Sequence, residues 1–217
     1  MKYFTPKTEW FSWLVLAIAV GSAYYFKDLL PEQVPAHWNA IGEIDRYASP
    51  TEHTWTFLGI IFGMYLLFIA IPYLEPRKEH LQKSIGFLHM LKNYMLLFFT
   101  SMFVYISYIA TTTNQFDITA YITIGVGILF ILIGNYLTQV KSNFLMGIRT
   151  PWTLSSDDNW TKTHRLGGIT FILAGILFMT TNWLPTSIAF FVPILGVVLA
   201  ALIPIGYSYW LYTKSRS

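Results

Sequence analysis

Ser155, Asp157 and His164 are the residue types of a nucleophile, an orienting carboxylate and a general base. They stand close together in one polar stretch, "KSNFLMGIRTPWTLSSDDNWTKTHRLGG", residues 141–168. Such a set would suit acyl transfer. The pattern around it points elsewhere: no nucleophile-elbow sequence is present. Ser and Asp at the head of an apolar run are also what a helix N-terminus asks for, a hydroxyl to accept orphan N–H groups and carboxylates to meet the positive end of the dipole. A second set, His37 and His53 with Glu32, Glu43 and Asp45, offers the imidazole and carboxylate donors of a zinc site. Here the histidines are 16 residues apart, and no H-E-x-x-H pair occurs. We therefore expect no catalytic residue, no metal and no cofactor. The absence of cysteine excludes disulfides and thiolate chemistry.

The elements that must position these residues are membrane helices. Of the 217 residues, 54% are apolar and 12% charged, about half the charge of an ordinary soluble domain. Stretches free of Asp, Glu, Lys and Arg run over Trp10–Phe26, Thr54–Leu74, Asn93–Phe116 and Ile118–Val140, with a long one over Leu166–Thr213. About 20 residues cross a bilayer as helix. The last run thus holds two crossings folded back at "NWLPTS", residues 182–187, and six transmembrane helices are expected. The first is read as a retained helix, because no small-x-small cleavage site follows it. The fold class is all-α integral membrane protein, with a small folded extracellular loop and a folded cytoplasmic loop. Its organisation is a two-helix region over 1–74 carrying loop 27–54, an amphipathic cytoplasmic linker over 75–92, and a four-helix region over 93–217 carrying the motif 141–168.

Charge sets the orientation. With both termini in the cytoplasm, Lys2, Lys7, Arg77, Lys78, Lys83, Lys92, Lys141, Arg149, Lys162, Arg165, Lys214 and Arg216 lie inside and only Lys27 and Arg46 outside, as the positive-inside rule requires. The outer surface then holds Asp28, Glu32, Glu43, Asp45, Glu52 and Asp117. A formal charge of +3 is too small to suggest direct contact with nucleic acid.

Local signals fill in the detail. Ser49, Pro50 and Glu52 form a capping-box pattern that starts the second helix, and Thr5-Pro6 is a weaker start for the first. Gly59 and Gly63 stand at small-xxx-small spacing and are read as an intramolecular packing face. In the linker, Leu81, Ile85 and Leu88 share one face, leaving Lys78, Lys83 and Lys92 for anionic headgroups and His80 and His89 in solvent. Pro193 and Pro204 interrupt the sixth helix. No Asp, Glu, Lys or Arg falls at mid-depth in any segment, which removes most support for coupled ion transport. In the outer loop Gly42 suits a positive φ in a turn through residues 39–43, making a hairpin or small lobe, with Trp38 and Tyr47 as interfacial aromatics. In the cytoplasmic loop Gly147 is flexible, Thr150-Pro151 opens a helix, Ser155 or Ser156 caps the next, Trp160 and His164 share a face, and Arg149 pairs with Asp157, Asp158 or helix-end carbonyls.

Both loops are familiar as wholes. "LPEQVPAHWNAIGEIDRY" resembles the short motif of the uncharacterised domain that often opens SdpI-like membrane proteins. "NFLMGIRTPWTLSSDDNWTKTHRLGG" resembles the signature of the SdpI family itself. The resemblance implies a membrane immunity protein that protects a cell against a secreted, membrane-active toxic peptide by binding rather than by catalysis. In that family a toxin-engaged member can also hold a transcriptional repressor at the membrane. Matching residues are Asn143, Gly147, Arg149, Thr150, Pro151, Trp152, Thr153, Asp157, Trp160, Thr163, His164 and Arg165 in the cytoplasmic motif. For the peptide, the expected contact residues are Glu32, His37, Trp38, Glu43, Asp45, Arg46 and Tyr47. Expected partners are the toxic peptide outside, a repressor inside and the lipid bilayer. The alternatives are a sensor of envelope stress or peptide, a small transporter and, last, an intramembrane hydrolase.

Overall fold

The structure, a computed structural model, describes residues 3–39, 42–112 and 117–216. Lys2 of the cytoplasmic count, Ala40 and Ile41 of the predicted turn, and Phe116 at the end of an uncharged stretch lie outside the described residues. The chain is an all-α membrane protein. Among the described residues, six helices are long and apolar enough to span a bilayer: α1 (Pro6–Phe26), α2 (Pro50–Leu74), α4 (Ile85–Thr111), α5 (Ile118–Leu137), α7 (Asp157–Thr180) and α9 (Phe191–Lys214). Short helices join them: α3 (Lys78–Lys83), α6 (Pro151–Ser155) and α8 (Thr186–Ala189), with a 3-10 turn at Thr181–Trp183. Strands β1 (Val34–Trp38) and β2 (Ile44–Ala48) pair antiparallel between α1 and α2.

Helix starts follow the sequence signals. Thr5 and Thr8 bracket the first turn of α1, with the Thr5 N–H donating to Thr8 Oγ1 at 2.9 Å and Pro6 at the first position. Ser49 Oγ accepts the Glu52 N–H at 3.2 Å. The Glu52 carboxylate itself accepts from Arg46 Nη1 at 3.2 Å, tying the start of α2 back to β2. Pro193 lies in the first turn of α9, where its missing N–H has no helical partner to lose, so only Pro204 falls inside that helix.

Two compact units are present, Met1–Ala70 with His89–Thr119, and Ile71–Leu88 with Ala120–Ser217. In the first, α1, α2 and α4 bury Val15, Leu16, Ala19, Ile61 and Leu96 against one another, with Phe11, Phe57, Tyr65 and Phe99 around them. His53, grouped by sequence with possible metal donors, is instead buried among Phe57 and Phe103, its Nε2 3.0 Å from Ser107 Oγ. Lys92, expected among lipid headgroups, is fully enclosed two turns into α4 and ion-paired with Glu9 of α1, itself 3% exposed. Beside them Ser12 Oγ donates to Asn93 Oδ1 at 2.8 Å. His89 is likewise no free surface histidine: its Nε2 lies 3.0 Å from the Tyr3 carbonyl. The sequence hid this arrangement because Glu9 and Lys92 each end an uncharged run, and a chain reader cannot see that two such ends meet.

Glycine packing also differs from expectation. Among the described residues, a Cβ added at Gly59 or Gly63 would meet nothing within 4 Å, so these glycines make no close helix contact there. The close approach lies in the second unit. A Cβ at Gly134 would fall 2.5 Å from the Gly168 carbonyl oxygen, and one at Gly175 would fall 2.5 Å from that of Gly127. Each pair places one glycine on α5 and one on α7, and both helices repeat it seven residues on, which is two turns. The antiparallel backbones therefore touch along one seam where only glycine fits.

Candidate functional site

The loop between α5 and α7 is folded from its main chain outward. Asn143, fully buried, donates from Nδ2 to the Lys141 carbonyl at 2.8 Å, and its Oδ1 accepts the N–H groups of Leu145 at 2.9 Å and Met146 at 2.7 Å. One side chain thus closes a turn that has no regular secondary structure. From the segment just after α2, buried Glu75 accepts the Phe144 N–H at 3.0 Å and the Arg77 N–H at 2.9 Å. Arg77 Nη1 donates to Ser142 Oγ at 2.7 Å, and its guanidinium lies over the Phe144 ring. His80 Nδ1 meets the Ser142 carbonyl at 2.6 Å, so this histidine, read as solvated, is structural. Ser84 Oγ accepts the Lys141 N–H at 2.8 Å.

Gly147 then takes φ +101°, a left-handed conformation that L side chains disfavour. A Cβ there would collide with His164 Nε2. Both ring nitrogens of His164 are committed: Nδ1–H donates to the Trp160 carbonyl at 2.8 Å, and Nε2 accepts the Ile148 N–H at 3.0 Å. That pattern requires the neutral imidazole. The Trp160 indole stacks on this ring at 4.0 Å and donates from Nε1 to the Val140 carbonyl at 2.8 Å. Trp160 and His164 therefore do share a face, and they use it to pin both ends of the loop to α7.

Next, Thr150 and Thr153 form a reciprocal box: the Thr153 N–H donates to Thr150 Oγ1 at 3.1 Å and the Thr150 N–H to Thr153 Oγ1 at 2.9 Å. Pro151 occupies the first position of α6, as its sequence predicts. Of the two candidate serines, Ser156 caps α7, accepting the Asn159 N–H at 3.3 Å. Thr163 Oγ1 donates to Asn159 Oδ1 at 3.0 Å, Asn159 Nδ2 donates to the Ser208 carbonyl at 2.9 Å, and Thr150 Oγ1 stands 3.2 Å from Ser208 Oγ. α6, α7 and α9 are thereby joined through buried polar atoms. Trp152 rests on Tyr209, with ring centroids 5.0 Å apart.

The charged residues of the motif are arranged as follows. Arg149 donates to the Phe144 carbonyl in the preceding turn. It is not tied to the aspartates, because Asp158 takes Lys162 at 2.7 Å and Asp157 sits in the exposed first turn of α7. The triad types are not assembled either: Ser155 Oγ donates to the Trp152 carbonyl, and His164 has spent both nitrogens on main chain. Finally, the exposed residues Arg149, Asp157 and Arg165 form the rim of the motif, while Asn143, Thr150, Thr153, Trp160, Thr163 and His164 are its interior.

The hairpin is built the opposite way. Val34 pairs with Ala48, and both are buried; Pro35 pairs with Tyr47, His37 with Arg46 and Trp38 with Ile44, with bulges on either side of His37. Asn39 closes the turn, its Oδ1 accepting the Glu43 N–H at 2.9 Å, and Gly42 takes φ +82° as expected. His37 Nδ1 lies 2.5 Å from Asp45 Oδ1. Glu32, His37, Glu43, Asp45, Arg46 and Tyr47 all face outward, and Trp38 is half-buried.

Residues 139–208, which hold the buried network and α9, match the SdpI/YfhL protein family, and residues 14–70, which hold the hairpin, match a domain of unknown function, DUF1648. The chain is thus similar to the SdpI/YfhL family behind a stretch similar to DUF1648. It is 23% identical over 204 residues to "Immunity protein SdpI" of Bacillus subtilis (strain 168), covering 93% of this chain and 94% of that one. No solved structure matches. The SdpI-family match begins at the loop itself, so the network from Asn143 to Ser208 is internal to that region, whereas its partners Glu75, Arg77 and His80 lie between the two matched regions.

Proposed function

We propose that this protein is a membrane immunity protein that gives resistance to a secreted, membrane-active toxic peptide, and that it acts by binding. The observation that carries this reading is the end-to-end similarity to Immunity protein SdpI. Binding rather than chemistry is supported by the motif, whose buried polar side chains are used up in holding the fold. The hairpin is the recognition surface in this proposal. Glu32, Glu43 and Asp45 lie beside Tyr47 and Trp38, so exposed carboxylates steer a cationic peptide in and aromatic burial holds it.

Both termini lie in the cytoplasm on the same reading, supported by the lysine and arginine asymmetry between loops. The exposed rim at Arg149, Asp157 and Arg165 then faces the cell interior, where it suits a cytoplasmic protein such as a repressor. Reporters fused after Thr213 and inserted beside Gly42 test the orientation: cytoplasmic and external signals respectively are expected, and the reverse would remove the recognition role from the hairpin. Function is tested by expressing the protein in sensitive cells and challenging them with the secreted peptides of a producing strain. Survival at the expressed level supports immunity; sensitivity equal to the empty vector rejects it.

A further inference from the structure

Between α2 and α4, the exposed side of α3 carries charge that neither the buried network nor the hairpin uses. Three residues separate the end of α2 from α3, and Ser84 alone separates α3 from α4. A segment this short between two spanning helices stays at the membrane–water interface. Its inner side is committed to the protein: Leu81 is fully buried, His80 Nδ1 meets the Ser142 carbonyl at 2.6 Å, and Ser84 Oγ accepts the Lys141 N–H at 2.8 Å. The outer side exposes Lys78, Glu79, Gln82 and Lys83. The bond to Ser84 sets Lys141, a further exposed lysine, beside Lys83. Among the described residues, no ion pair engages any of these lysines or Glu79. The face therefore holds three lysines against one carboxylate. Tyr73 and Leu74, at the end of α2, are both largely exposed and add apolar surface in the same stretch of chain.

We propose that this face gathers the anionic phospholipid headgroups of the leaflet next to it, with Lys83 and Lys141 at its centre and Lys78 at its edge. The sequence offers Lys92 for this role; in the fold Lys92 is enclosed with Glu9, and Lys141 takes its place. Arg77 is no part of the face, since it is spent on Ser142 and the Phe144 ring. A lipid surface fits better than an acidic soluble protein, because the segment is tethered at both ends to spanning helices and presents Tyr73 and Leu74 as well as charge. The lipid so held also fixes the linker that carries Glu75, Arg77 and His80, and through their bonds the loop. The face needs no contact with a peptide.

The chain has no cysteine, so Gln82→Cys gives a single labelling site in the middle of the face. The full-length protein, carrying a fluorophore there, is reconstituted in vesicles of phosphatidylcholine and phosphatidylglycerol. One or the other lipid bears a nitroxide quencher near the top of its acyl chain. Phosphatidylglycerol should quench at a mole fraction about tenfold lower than phosphatidylcholine, since each lysine near an anionic surface gains about fivefold. Raising the salt to about 1 M should shrink that preference. Lys141→Gln should cut it by about fivefold, and Lys83→Gln with Lys141→Gln should bring the two lipids near parity. Lys162→Gln removes the same charge from a lysine already paired with Asp158, and should leave the preference at the wild-type value. Far-ultraviolet circular dichroism confirms that the variants are folded. Equal quenching by both lipids in the wild type, a preference that survives in the double variant, or an equal loss in Lys162→Gln and Lys141→Gln would overturn the proposal. Shielding of the label from aqueous iodide by a cytosolic fraction, with no preference between the lipids, would overturn it in favour of a protein partner.

Discussion

The hairpin and the loop between α5 and α7 look alike as sequence: each is short, polar, rich in aromatic residues and punctuated by a glycine with positive φ. In space they are opposites. The hairpin is held by its own main chain and one asparagine, and it turns its charged side chains outward. The loop turns its motif inward, and Asn143, Thr153, Thr163 and His164 are at most 1% exposed. A motif of polar and aromatic residues therefore need not be a contact surface. Near a membrane, where an irregular main chain must find hydrogen-bond partners, it can be the set of side chains that makes the loop possible.

That contrast is broken or sharpened by substitution. The largest effect is expected where a charge would be stranded. Lys92→Met leaves Glu9 buried without its partner and should cost about 3–5 kcal/mol, whereas Arg46→Met, which breaks an exposed pair with Glu52, should cost under about 1 kcal/mol. Denaturant unfolding in mixed micelles measures both, and similar losses would erase the distinction between buried and displayed charge. Asn143→Ala strands the N–H groups of Leu145 and Met146 and should cost about 2–4 kcal/mol, because each unsatisfied buried group costs about 1–3 kcal/mol. The same assay reads it, and a loss below that of Arg46→Met would place the motif with the hairpin. Ser49→Ala removes the cap of α2 and should cost about 1 kcal/mol, with no change in any interaction of the loop. Arg149→Lys is expected to be the mildest. The arginine is exposed and donates to a single carbonyl, a bond that an ammonium can also make, so its melting midpoint should stay near wild type.

Much of this was legible before any coordinates. The six spans follow from the uncharged runs, and the starts of α2, α6 and α7 follow from Ser49, Thr150-Pro151 and Ser156, because caps and first-turn prolines act within four residues. The turn at Gly42 and the shared face of Trp160 and His164 are equally local. What stayed hidden was long-range. Glu9 and Lys92 are 83 residues apart, and Glu75 and Phe144 are 69 apart. Gly134 shows its purpose only once Gly168 is beside it, whereas Gly59 and Gly63 have the right spacing but, among the described residues, nothing within 4 Å of an added Cβ. For the candidate site, residue identities were legible but the direction in which they point was not. Arg149 is expected on Asp157, Asp158 or a helix-end carbonyl, and of these only the kind of acceptor holds: it takes the Phe144 carbonyl, inside the loop and not at a helix end.

The central claim is that recognition resides in the hairpin and fold maintenance in the loop. It is tested most directly by the protection conferred on cells by a Trp38→Ala, Glu32→Gln, Glu43→Gln variant, normalised to the amount of folded protein extracted from the membrane. Protection should fall sharply per folded molecule while the melting midpoint moves little. Wild-type protection per folded molecule would contradict the claim, since the hairpin would then only close the end of its helix bundle.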